Sequence, residues 1–209
     1  MKIYRIFPLA VMLFSLLLGT ASCSEEDNTV EEYPNWKAVN DRFFGSLSDS
    51  VKTLLAADPA RTDWKRIKTW NKSDVMEGVN SDYIIVHVEQ EAPATETAVP
   101  IYTDTVSVSY AGRLLPSVSY PSGFVFDRTF YGEYNPELSS AVTFAIGNAS
   151  GTSLVDGFAT ALQHMRRGDH WTVYIPYQLG YRGTANGDVP AYSTLIFDLV
   201  LRDFWSPGY

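Results

Sequence analysis

A chain of 209 residues, 45% hydrophobic and 19% charged, has the make-up of a globular protein with enough apolar side chains for a real core. Its formal net charge of −8 argues against nucleic acid as a partner, because neutralising phosphates takes clustered Lys and Arg and the nearest thing to a cluster is the pair Arg166-Arg167. With one cysteine there is no internal disulfide and no thiolate cage, and the scattered His87, His164 and His170 predict no metal site.

Lys2 and Arg5 precede an apolar run over residues 6–18, too short to span a bilayer but suited to the centre of a signal peptide. Gly19-Thr20-Ala21-Ser22-Cys23 resembles a bacterial lipoprotein cleavage box, and the chain's one cysteine stands where that box needs it. The resemblance implies loss of residues 1–22, a diacylglycerol on the Cys23 thiol and attachment to a membrane. Several acyl chains anchor firmly where one binds only marginally. A conventional signal peptide with an incidental cysteine is the other reading. Ser24-Glu25-Glu26-Asp27 makes residues 23–34 an acidic, solvated tether. Such a tail also resembles the surface-export signals of Bacteroidota lipoproteins. The location this implies is the cell envelope, lipid-anchored at the outer membrane.

From residue 35 to 57, Trp36, Val39, Phe43, Leu47, Val51 and Leu54 fall three or four apart, which predicts a helix with one apolar stripe. Asn35 reads as its N-cap, Asp58-Pro59 as its stop, and Gly45 as a weak point within it. The stripe needs a partner surface in the domain that follows, so residues 35–80 read as a helical extension. Residues 84–89 alternate as a strand, with His87 on the wetter face, and residues 91–103 read as a loop. Further strands are predicted around Val106, Val108 and Tyr110, at 124–126, at 141–146, around Trp171, Val173 and Ile175, and from Leu195 to Leu201. Residues 156–167 read as a helix with Phe158, Leu162 and Met165 on one face, Asp156 as cap and Gly168 as stop. The sum over residues 81–209 is an α+β fold with a mainly antiparallel sheet around one short helix.

In chain order the motifs are Val106-Ser-Val-Ser-Tyr110-Ala-Gly112-Arg-Leu114, Gly123-Phe-Val-Phe126-Asp127, Phe144-Ala-Ile-Gly147, Leu154-Val155-Asp156-Gly157-Phe158, Met165-Arg-Arg-Gly168, Ile175-Pro176 with Leu179-Gly180-Tyr181, and Val189-Pro190 with Thr194-Leu195-Ile-Phe197-Asp198. Over residues 105–203 this order resembles the FKBP family of peptidyl-prolyl isomerases; each fragment alone is weak, but chance matches would not keep register. The resemblance implies a bent sheet of five or six antiparallel strands wrapped around the short helix, with an apolar pocket between them. Position by position it implies Asp127, Tyr181, Tyr110 and Phe126 as catalytic residues. Val142, Val155, Val189 and Phe197 would line the pocket and Phe158 would form its floor. The family more often has Trp at the floor and an aromatic where Val142 stands, which implies a roomier, less aromatic hollow. Arg182 replaces the usual Gly after the tyrosine, and residues 116–122 exceed the family's turn, so a reshaped rim is expected.

Rotation about an X-Pro bond has a barrier of about 18–20 kcal/mol because it breaks amide resonance. No bond is made, so no nucleophile, metal or cofactor is called for. A dry apolar pocket favours the twisted, less polar amide over the planar form that water solvates. The expected partners are therefore proline-containing polypeptides of the envelope. Two other readings stay open: an FKBP-like binding or chaperone module with little turnover, and a glycan-binding surface built on Tyr177, Tyr181 and Tyr192. Phe144, Phe197 and Leu199 also fit plain core positions.

Overall fold

In the computed structural model, residues 30–73, 75–147 and 154–206 are described; the expected signal peptide and Cys23 lie outside them. Residues Glu32–Tyr209 gather into one unit, apart from Met1–Glu31.

The first element, helix α1 (Trp36–Ala57), runs without interruption through Gly45, and a Cβ there would meet nothing within 4 Å. Asn35 precedes it in the left-handed region (φ 51°) and makes no side-chain cap. The buried face differs from the expected stripe. Trp36, Asn40, Phe44, Ser48 and Val51 face inward, whereas Val39 and Leu54 are exposed. The seam is turned by about one residue because its two polar members have partners: Asn40 binds the Thr194 backbone and Ser48 the Arg66 guanidinium.

Seven strands are found among the described residues: β1 (Trp64–Lys68), β2 (Tyr83–Gln90), β3 (Thr105–Arg113), β4 (Val125–Arg128), β5 (Val142–Ala145), β6 (His170–Ile175) and β7 (Leu195–Trp205). Their order is β1-β2-β6-β7-β3-β4, with β5 also on β3, and every pairing is antiparallel. The segment expected as a helical extension thus supplies a strand as well. Its Lys65, Arg66 and Lys68 suit a sheet edge, where charge discourages pairing with another chain.

One row across the sheet reads Lys65, Val86, Val173, Phe197, Gly112 and Asp127. Its apolar members pack against helix α2 (Asp156–Leu162) through Phe158, Ala161 and Leu162. The α2 helix is shorter than predicted, and Val155, not Asp156, holds its N-cap position. Its last carbonyls are taken by the Gln163 amide (3.0 Å to the Ala159 oxygen) and the His164 ring (2.9 Å to the Thr160 oxygen), after which turns lead to Gly168 at φ 92°. On the opposite face Ile85 packs with Phe44 and Val51 of α1. Strand β2 is therefore buried on both sides, which is why Ile84, Ile85 and Val86 are all inaccessible where alternation predicted a wet face.

Candidate functional site

A hollow of about 170 Å³ opens between the sheet and α2, lined by Tyr110, Phe126, Asp127, Phe144, Leu154, Val155, Phe158, Tyr181 and Phe197. Five elements contribute to it, β5 through Phe144 and four others. Strand β3 brings Tyr110, the short β4 brings Phe126 and Asp127, β7 brings Phe197, and α2 presents Phe158 from the other side. Phe158 lies edge-on to Phe197 with centroids 4.9 Å apart, and Phe197 is perpendicular to Phe126 at 5.6 Å. Tyr110 completes the box at 5.8 Å from Phe158 and 6.0 Å from Phe197. Edge-to-face contacts at these spacings hold rings in fixed orientation.

Gly112 makes that packing possible. A Cβ there would stand 2.6 Å from Phe197 Cε1 and 2.7 Å from Phe126 Cζ, so the two rings occupy the space a side chain would take.

The polar side of the hollow is narrow. The Tyr110 hydroxyl donates to Asp127 Oδ2 at 2.5 Å, a charge-assisted bond that fixes the carboxylate at the mouth. Burial, reinforced by the neighbouring carboxylate, pushes the Tyr110 phenol far above its ordinary range. Burial also raises the Tyr181 phenol, against the lowering effect of a hydrogen bond with Asn186. Both groups are therefore neutral O–H donors at physiological pH. The Tyr110 backbone is pinned by Thr129, whose hydroxyl accepts its N–H at 2.9 Å.

Seven of the nine pocket residues implied by the family resemblance converge here: Tyr110, Phe126, Asp127, Val155, Phe158, Tyr181 and Phe197. Val142 and Val189 do not line the hollow. Val142 pairs with Val108 two positions along β5, and Val189 is buried in the main core. Phe144 and Leu154 line it instead. Phe144, 6.1 Å from Tyr110 and 6.3 Å from Phe158, returns an aromatic ring to the wall that Val142 was expected to leave bare. The period of two along β5 puts Val142 and Phe144 on one face, which made Phe144 a candidate without choosing between them. Arg182 adopts φ 62°, the left-handed conformation in which glycine is unstrained, and pairs loosely with Asp156 at 3.4 Å. Tyr177 and Tyr192 cross at 85° beneath the Lys37 ammonium, so they present no flat platform.

Residues 97–202 match the family profile described as FKBP-type peptidyl-prolyl cis-trans isomerase. The chain belongs to this family. Among curated proteins it is similar to the macrophage infectivity potentiator of Trypanosoma cruzi, 36% identical over 103 residues (49% of this chain, 44% of that protein). It is also similar to the FKBP-type 22 kDa peptidyl-prolyl cis-trans isomerase of Escherichia coli K12, 32% identical over 110 residues (52% and 45%). The outer membrane protein MIP of Legionella longbeachae is 31% identical over 105 residues (50% and 38%). The chain spans less than half the length of each of these relatives.

Proposed function

We propose that this FKBP-family protein isomerises X-Pro bonds of polypeptides in the cell envelope, with its aromatic hollow as the active site. The observation that carries the reading is the convergence of Tyr110, Phe126, Phe144, Phe158 and Phe197 on one cavity with the Tyr110–Asp127 hydrogen bond at its edge. Phe126, Phe158 and Phe197 would grip the proline ring and exclude water, so the amide loses the solvation that favours its planar form. The Tyr181 hydroxyl and the Val155 N–H would hold the substrate backbone, each bond contributing about 1 kcal/mol. Asp127, held by Tyr110, would order the polar contacts at the mouth. No bond breaks, and nothing in the step calls for a metal or cofactor.

The test is a protease-free isomerisation assay on a proline tetrapeptide. The expected outcome is acceleration by the wild type, weakened in Asp127→Ala and in Tyr181→Phe. No acceleration at micromolar protein would leave the binding-module reading in its place.

The envelope location rests on the apolar run at residues 6–18, the box ending at Cys23 and the acidic residues after it. The similarity to the outer membrane protein MIP of Legionella longbeachae supports the same location. Among the described residues no helix is long and apolar enough to cross a membrane. Attachment through acyl chains on Cys23 is the proposed anchor, resting on the box that ends there, and is tested by labelled fatty acid incorporation that Cys23→Ala should abolish.

A further inference from the structure

Two loops lead to residues of the hollow. Residues 114–124 join β3 to β4 and so deliver Phe126 and Asp127. Residues 176–194 join β6 to β7 and carry Tyr181. Both are tied to the same short stretch, residues 32–40.

On the first loop, Glu32 Oε1 accepts the Ser117 hydroxyl at 2.6 Å and the Ser119 N–H at 2.9 Å, while the Glu32 carbonyl accepts the Val118 N–H at 3.4 Å. On the second, the Trp36 indole donates to Ser193 Oγ at 2.8 Å, and Ser193 in turn donates to the Pro190 carbonyl at 2.7 Å. Asn40 accepts the Thr194 N–H at 2.7 Å and donates to the Trp36 carbonyl at 2.8 Å. Tyr33 packs edge-on against Trp36 at 4.8 Å, between the two attachments.

The bonds to the second loop are not surface bonds of small consequence, whereas those of Glu32 lie at or near the surface. Trp36, Asn40, Ser193 and Thr194 are all buried, so breaking a bond orphans a polar group that water cannot easily reach. A helix serving only to cover the sheet would carry an apolar residue at position 40. The second loop carries a few bonds of its own, the Arg182 N–H on the Tyr177 carbonyl at 2.8 Å and a reciprocal Asn186–Val189 pair at 2.9 and 3.0 Å. Residues 182–188 are exposed, and Arg182 and Tyr192 both sit at positive φ. Its base is closed by one clip, the Tyr192 N–H on the Arg182 carbonyl at 2.8 Å. That clip joins the neighbour of Ser193 to the neighbour of Tyr181. A shift at Ser193 therefore reaches the Tyr181 ring through one covalent link, one hydrogen bond and one more covalent link.

We infer that Glu32, Trp36 and Asn40 are positioning residues that brace the two loops leading to Phe126, Asp127 and Tyr181, so that the N-terminal segment sets how tightly the hollow holds its substrate. Only the kinetic arm of the test rests on the isomerase reading. Trp36→Phe keeps an aromatic side chain, though a smaller one, and deletes the N–H donor. The expected result is amide exchange at Tyr192 and Thr194 faster by about five-fold, the equivalent of one typical hydrogen bond, with β3 unchanged. KM for a proline tetrapeptide should rise by a similar factor with kcat held. In a Ser193→Ala background the same substitution should add nothing. Val51→Ala, on the same helix but packed with Ile85, should lower the urea midpoint and leave KM and loop exchange alone. Unchanged exchange at Tyr192 and Thr194 in Trp36→Phe would overturn the brace, as would faster exchange with an unchanged KM. If the wild type turns nothing over, tetrapeptide affinity replaces KM; loosened exchange and affinity then support the brace while the isomerase reading alone falls.

Discussion

Replacing Gly112 by alanine tests the aromatic hollow from behind. The added methyl would stand 2.6 Å from Phe197 Cε1 and 2.7 Å from Phe126 Cζ, against 3.4 Å for ordinary contact. Phe197 must then move by about 0.8 Å and Phe126 by about 0.7 Å, or β3 must bend away. The rings that yield are those lining the cavity of about 170 Å³, so the methyl is accommodated at the cavity's expense. Overpacking of this kind costs about 1–3 kcal/mol of stability. Misplacing binding groups by about 1 Å can cost about a hundred-fold in rate, so kcat/KM should fall by about 10- to 100-fold. Urea titration reads the first quantity and the protease-free tetrapeptide assay the second. A destabilised Gly112→Ala protein with kcat/KM within about two-fold of wild type would refute the assignment of Phe126 and Phe197 to the site.

Tyr110→Phe deletes one hydrogen bond to Asp127 and should lower kcat/KM by about five-fold in the same assay, with little change in urea midpoint at neutral pH. Burial raises the phenols of Tyr110, Tyr174 and Tyr181 above 10.0, with Asp127 adding to it at Tyr110. Between that value and the folded ones the native state holds more protons than the unfolded chain. The contribution of these phenols to stability should therefore be level below pH 10 and fall as pH rises beyond it, and Tyr110→Phe should soften the fall in urea titrations. Phe44→Ala empties the cluster with Val51 and Ile85 and should cost about 3–5 kcal/mol by urea titration, with kcat/KM retained under native conditions. Arg182→Gly removes a side chain from φ 62° and should raise stability by about 0.5–1 kcal/mol, seen as a later urea midpoint.

The site was legible where sequence order and strand period agree. Tyr110 and Phe197 lie on regular strands and Phe158 on the helix, so each position followed from its neighbours. The two misplaced residues fail for different reasons. Val142 and Phe144 share a face of β5, and period alone does not say which of them reaches the cavity. Val189 sits in a loop whose path depends on the Arg182 and Tyr192 conformations. The extension was less legible. Strand β1 has only Trp64 and Ile67 as apolar members, three apart, and every residue in it is half-buried, so no alternation shows. The buried face of α1 was misjudged because Asn40 and Ser48 look like solvent residues. Their partners Thr194 and Arg66 lie elsewhere in the chain, and no local pattern announces them.

The double coverage of β2 bears on how this protein can be handled in the laboratory. A fragment begun at residue 81, where the family-like part was expected to start, would lose both α1 and β1. Ile85 and the flank of Tyr174 would meet water, and the backbone edge of β2 would be left with no partner strand. A greasy strip beside an open edge invites filament-like stacking, so such a fragment should come out as inclusion bodies where the chain from Glu32 onward stays in solution.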